Sequence, residues 1–147
     1  MKYRKSVFIV AYSIEKNKIY YLVLKRKLHW RGWEFPKGGK KLFETYKMAV
    51  KREVFEETGQ KPLKIIKFNK KGIYDYDKIL KDRPKVIGQN FKLYAVEIEK
   101  KKIKRDINEH SHSKWLSFKK ALEILTWENQ RECLKVVDNF LMDEKKR

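Results

Sequence analysis

Apolar and polar positions change their period several times along the chain, and each change marks an element. Residues 6–14 are rich in β-branched and aromatic side chains and predict a strand; Glu15 to Lys18 is a polar turn, and residues 19–26 return as a second strand. The two make a hairpin or neighbouring strands of a mixed sheet. Leu28 to Trp33 is a loop dense in aromatic residues, followed by a short strand through Glu34 and Phe35. At Tyr46 the period becomes helical, with Thr45 placed to cap the helix, Gly59 to stop it and Pro62 just beyond. Residues 63–76 alternate as a strand with a bend at Lys70, Lys71 and Gly72, residues 75–84 hold a polar loop, and residues 85–99 resume as a long strand. Lys100 to Lys102, then Lys104 and Arg105, flank a solvated connection, and Lys114 to Leu116 is one more short strand. Ser117 is placed to cap a helix over 118–125, and Thr126 a second over about 127–142. That last helix carries Cys133, Leu134, Val137, Phe140 and Leu141 at helical spacing as core, and residues 143–147 are expected to fray. Strands on either side of a central helix, with two helices closing the chain, specify an α/β fold with a mixed sheet covered on both faces.

The helix after Thr45 carries an anomaly. On a wheel at about 100° per residue, Tyr46, Ala49, Val50 and Val54 form an apolar stripe, and Glu53 and Glu57 fall within the same arc with Glu56 at its edge. Carboxylates on the buried side of a helix each cost on the order of several kcal/mol unless a cation meets them. Arg52 lies four residues before Glu56 and can pair with it, but one guanidinium cannot neutralise three carboxylates. A hard divalent ion with oxygen ligands, Mg²⁺ or Mn²⁺, can. A solvated acidic face, the bland alternative, would not set its acids in the arc of the core stripe. Just upstream, Gly38 and Gly39 allow tight turns whose free amides could meet phosphate or a metal-bound water. His110 and His112 would share a face on a strand, but no Cys or third His stands at ligand spacing, so they read as polar loop histidines rather than a zinc pair.

The spacing of this stretch resembles a known signature. Gly38, Glu44, Arg52-Glu53-Val54, Glu56-Glu57 and Gly59 fit the Nudix box: Gly, five residues, Glu, seven residues, Arg-Glu-aliphatic, one residue, Glu-Glu, one residue, Gly. The departure is Gln60, where the family has an aliphatic residue that packs. Phe35-Pro36-Lys37-Gly38 resembles the Pro-Lys-Gly entry of the branch that hydrolyses dinucleoside polyphosphates and capped or triphosphorylated 5′ ends. The order of later features, Arg83-Pro84-Lys85, a strand, Glu109-His110, Trp115-Leu116 and an aromatic opening the last helix, is similar to the asymmetrical diadenosine tetraphosphate hydrolases.

That resemblance implies a Nudix α/β/α sandwich. It also implies hydrolysis of a nucleoside polyphosphate chain, most of all diadenosine tetraphosphate to ATP and AMP, with Mg²⁺ or Mn²⁺ as cofactor. It implies that Glu53, Glu56 and Glu57 hold metal, that Arg52 orients them and Glu44 fixes the loop, and that Glu109 assists the metal site or acts as base. By the same resemblance Lys37, Lys81 and Lys85 contact the phosphate chain, and Trp127 stacks on adenine opposite Tyr76, which stands slightly displaced from the family position. His29 lies too far upstream for the histidine the family places before Pro-Lys-Gly, so it either protonates a leaving group or packs. Gly88-Gln89 before a strand also resembles the bacterial RNA 5′ pyrophosphohydrolases, a rival reading. A Nudix fold kept only for binding would be expected to lose box glutamates, and this chain has them all.

Composition bounds the rest. At 147 residues, with 41% hydrophobic and 14% aromatic content, the chain is expected to fold as a single domain over 1–147 with a packed core. The single Cys133 excludes an internal disulfide and fits a reducing, cytoplasmic setting. No stretch approaches the ~20 apolar residues of a membrane span, and no membrane partner is expected. The short apolar run after the basic start meets Glu15 at once, so it reads as a strand, not a signal peptide. The net charge of +19 attracts polyanions, RNA among them. Yet 30 of the 38 basic residues are Lys, scattered through every segment, as composition bias or a thermophile's surface would also give. The chain is expected to act as a monomer or homodimer on a dinucleoside polyphosphate or another nucleotide.

Overall fold

The structure, a computed structural model, describes residues 2–103 and 109–146. Its elements are β1 (Lys2–Glu15), β2 (Lys18–Arg26), β3 (Gly32–Glu34), β4 (Lys37–Gly39), α1 (Tyr46–Thr58), β5 (Lys64–Asp75), β6 (Val86–Glu97), β7 (His110–Leu116), α2 (Phe118–Ile124) and α3 (Glu128–Lys145). The Lys104 and Arg105 part of the expected solvated connection lies outside the described residues.

The sheet runs β3-β2-β1-β6-β5, with β4 pairing on β1 and β7 on β2. β1 and β6 are parallel, Phe8 opposite Leu93, and the other pairs are antiparallel, so the sheet is mixed as expected. Residues 7–12 of β1 are buried without interruption, the mark of a strand covered on both faces. The period of two sends alternate side chains to opposite layers. Phe8, Val10 and Tyr12 pack with Ala121, Leu134 and Val137 of α2 and α3, while Val7, Ile9 and Ala11 pack with Ala49, Val50 and Val54 of α1. The result is the expected α/β/α sandwich.

Caps and turns follow local chemistry. Thr45 Oγ1 accepts from the Met48 amide, and Gly59 closes α1 in the left-handed conformation at φ 74°. Lys16 and Asn17, both at positive φ, form the tight β1–β2 turn. The expected bend near Lys70 is a slip in register between Lys67 and Lys71.

Three details differ from expectation, and a fourth, at Gln60, agrees with it. Thr126 does not cap α3; its hydroxyl accepts from the Trp33 amide (2.9 Å), and Trp127 takes the N-cap position with no side-chain bond. The strand expected through Phe35 ends at Glu34, because the Phe35 amide donates to Gln130 Oε1 (2.8 Å). α3 continues to Lys145, whose ammonium donates to the Asn17 carbonyl (2.7 Å), so residues 143–145, expected to fray, are helical; Arg147 lies outside the described residues. Gln60 does not pack as an aliphatic would; its side-chain amide bonds the backbone of Glu99 in both directions (3.0 and 2.9 Å).

Candidate active site

Arg52 is the hub of a carboxylate cluster on α1. Its Nε and Nη2 donate to the two oxygens of Glu44 (3.0 and 2.9 Å), its Nη1 to Glu53 (2.7 Å) and more distantly to Glu56 (3.4 Å), and Nη2 also to the Gly39 carbonyl (2.8 Å). A planar fork meeting a carboxylate with two parallel bonds fixes direction as well as charge. The bonds from Arg52 hold the Glu44 carboxyl at about 2, against the opposing effect of burial. Glu44 in turn accepts from the Lys41 amide (2.8 Å), which locks the loop ahead of α1.

Glu53 lies in a space that only a glycine leaves. A Cβ on Gly38 would fall 2.1 Å from its carboxylate, so β4 and α1 approach closely because one side chain is absent. Burial pushes the Glu53 carboxyl up to about 7 although Arg52 pulls the other way. Gly38 and Gly39 themselves are paired with β1 in β4, so the expected tight turn is not there.

Glu57 points into the interior, 1% exposed, and meets a buried relay. His110 Nδ1 stands 3.1 Å from Glu57, and its Nε2 stands 2.9 Å from Glu34, which also accepts from Arg26 (2.8 Å). Burial opposes charge on this imidazole, but the bonds to Glu34 and Glu57 prevail and raise it to about 9, so it donates from both nitrogens. Glu34, fully buried, stays ionised at about 2 because Lys37, His110 and Arg26 outweigh desolvation. The loop histidine expected at 110 is therefore a core residue. A register shift between Lys25 and Arg26 breaks the alternation of β7, turns His110 inward and leaves His112 exposed.

Two adjoining cavities open beside this cluster. The charged one, about 110 Å³, is lined by Glu53, Glu56 and Glu109 and by four cations, Arg4, Arg26, Lys37 and Arg83. The aromatic one, about 250 Å³, is lined by Tyr74, Tyr76 and Trp127 among others. Trp30 and Lys37 line both. Tyr76 and Trp127 thus share a cavity, with Trp30 between them at ring distances of 5.4 and 6.4 Å. Lys37 lies over the Trp30 ring at 5.6 Å and within 3.5 Å of Glu34. Gln89 lines the charged cavity and donates to the Tyr76 hydroxyl.

Lys81 and Lys85 are exposed and line neither cavity, and His29 is drawn away by Asp82 (3.1 Å). Sequence reasoning passed over Arg4, Arg26, Trp30, Glu34 and the buried role of His110. The one legible signal among them was Glu34, an acid in an apolar strand beside the Pro-Lys-Gly entry.

The donor set suits a hard divalent cation. Glu53, Glu56 and Glu109 face one cavity, and ligand atoms of Glu57, Glu109 and His110 lie within 4.8 Å of one another. Burial raises Glu109, and the neighbouring Glu57 adds to that shift in spite of Arg26. Three carboxylates converge on that cavity, and burial pushes two of them, Glu53 and Glu109, upward; an oxygen-seeking ion would favour their ionised form. His110 is not among the ligands, because both its ring nitrogens are committed to carboxylates.

The fold has known counterparts. An Ap4A hydrolase from C. elegans superposes with a TM-score of 0.77 at 20% identity over 95% of this chain and 98% of that one. The E. coli dihydroneopterin triphosphate pyrophosphohydrolase gives 0.77 at 21% over 92% and 96%. The NUDIX domain of Shewanella oneidensis NrtR, complexed with ADP ribose, gives 0.73 at 15% over 95% and 88%. At such identities the likeness is one of fold. No curated protein matches the sequence. The sequence does match the NUDIX domain over residues 2–137, a span that takes in the Arg52 hub, Glu57 and its histidine, and both cavities, and the chain therefore belongs to the Nudix family as a pyrophosphohydrolase of nucleoside polyphosphates.

Proposed function

We propose that the chain acts as one domain on dinucleoside polyphosphates, cutting diadenosine tetraphosphate asymmetrically to ATP and AMP in the cytoplasm with Mg²⁺ or Mn²⁺. The observation that carries this reading is the junction of an aromatic cavity with a charged one through Trp30 and Lys37. A base stacks in the first on Trp127, Tyr76 or the Trp30 face between them. The phosphate chain then runs past Lys37 into the second, where Arg4, Arg26 and Arg83 offset its charge. The fold likeness to an Ap4A hydrolase agrees with this choice.

Nudix hydrolases generally use divalent metals, and Glu53, Glu56, Glu57 and Glu109 are the residues that would hold one here. Bound there, such an ion polarises phosphate oxygens and makes water a better nucleophile. Arg52 keeps Glu53 and Glu56 aimed at the cavity, and Glu109 or a box glutamate takes the proton of the attacking water. A bond forms from that oxygen to phosphorus while a bridging P–O bond breaks. Lys37 and the arginines stabilise the departing phosphate.

The test is product analysis with Mg²⁺ on diadenosine tetraphosphate and triphosphorylated RNA in parallel. ATP plus AMP from the first, with slow turnover of the second, is expected. Preference for RNA would favour the Gln89-based rival, and hydrolysis of neither would defeat both. Glu57→Gln keeps an acceptor for His110 and should retain the fold while lowering the rate on the order of 10²-fold or more. Near-normal turnover by that variant would sink the assignment.

A further inference from the structure

The loop between β4 and α1 holds two anomalies in adjacent residues. Leu42 and Phe43 are 82% and 94% exposed, the two most exposed large apolar side chains among the described residues. Phe43 also sits at φ 67°, a left-handed conformation that a glycine would take without strain and a bulky side chain adopts rarely. The turn is not loose. Glu44 accepts from the Lys41 amide at 2.8 Å, the Glu44 amide donates to the Lys41 carbonyl at 3.2 Å, and Arg52 anchors Glu44. The fold thus holds two apolar side chains out in water, one of them on strained backbone, and buries little of either.

The surroundings say what would cover them. On the outer face of α1, Met48 and Phe55 are 52% and 57% exposed and stand two turns apart, with Lys51 between them. Lys41, Lys47 and Lys51 are exposed, and none is in an ion pair among the described residues. The acids nearby, Glu44, Glu53 and Glu56, are turned to Arg52. A patch that carries unpaired lysines repels a second copy of a chain with net charge +19. Leu42 and Met48 offer no stacking face to a nucleobase. The Leu42–Phe43 tip lines neither cavity, so it offers no groove to a peptide. An exposed apolar tip with one unpaired lysine beside it and two more on the helix that follows matches the boundary of an anionic bilayer, where apolar side chains enter the acyl region and ammonium groups remain among the headgroups.

We propose that Leu42 and Phe43 form a membrane-docking tip that seats the protein on anionic lipid through insertion of both side chains, with Lys41, Lys47 and Lys51 on the headgroups. This is peripheral attachment and needs no spanning segment.

The test uses the whole chain and vesicles of phosphatidylcholine with or without a quarter of phosphatidylglycerol, at physiological salt. Wild type should co-sediment with the anionic vesicles only. The Leu42→Ser/Phe43→Gly variant, whose glycine suits φ 67°, should bind about tenfold more weakly yet hydrolyse soluble nucleotide as before. Phe43→Trp should shift its emission to the blue on binding and be quenched by lipids brominated in the acyl chain. Equal binding by wild type and the double variant would reduce the effect to net charge and overturn the proposal. So would an unquenched tryptophan, or tight binding of single-stranded RNA that depends on Phe43 where vesicles are ignored.

Discussion

Gly38 shows how much of the site rests on one missing side chain. Its backbone is ordinary strand, so the residue is not needed for a turn; it is needed because the Glu53 carboxylate fills the place of its Cβ at 2.1 Å. Gly38→Ala should therefore push Glu53 off its bond to Arg52 and out of line with Glu56. A displacement near 1 Å costs on the order of 10²-fold in rate. The expected result is a large fall in kcat with a small change in thermal midpoint; unchanged kcat would mean that Glu53 tolerates another position. The chain shows that a glycine stands at 38, but its reason is a contact with a residue on another element, which local sequence does not carry. Arg52 was the reverse case. Its spacing to Glu56 was visible on the helix itself, and the structure adds Glu44, Glu53 and the Gly39 carbonyl as partners.

Among the elements, α1 was legible almost to the residue, since both caps and its apolar stripe lie within one continuous segment. β7 was not. Whether His110 faces in or out depends on a slip in pairing with β2, and pairing between distant strands leaves no mark in a short window. β4 escaped for a similar reason, being only three residues long and defined by its partner. The relay that β2, β3 and β7 build together makes a prediction about stability. Glu34→Gln leaves Arg26 and His110 short of a counter-charge in a dry site, which should cost roughly 3–5 kcal/mol in denaturant unfolding. The Glu34 carboxyl is depressed from 4.5 to about 2 in the folded protein, so it binds its proton at lower pH folded than unfolded. Its contribution is therefore complete above about 4.5 and is lost as pH falls toward about 2. The gap between wild type and variant should be widest between about pH 4.5 and 6.5, close on acidification as Glu34 takes its proton, and narrow as pH rises toward about 9, where His110 loses the charge that Glu34 supports; a gap that widens in acid would refute this account.

For the whole molecule, the alternating side chains of β1, buried on both faces, join two cores, one under α1 and one under α2 and α3. Cys133 reports on the second. It is free and 1% exposed, and burial pushes its thiol up to about 12. Alkylation at mildly alkaline pH should be slow in the native state and should accelerate with denaturant in step with global unfolding. Rapid labelling of native protein would show that the α3 layer opens by itself. The parallel pairing of β1 with β6 reaches further. It joins Lys2 through Tyr12 to Val86 through Glu97, so β1 is made well before its partner. On the ribosome, β1 can form its hairpin with β2 early, but the central seam stays open until Glu97 has left the exit tunnel. While the segment between β1 and β6 is being made the chain carries a strand apolar on both faces with one edge unpaired, which makes β1 the element most in need of a chaperone.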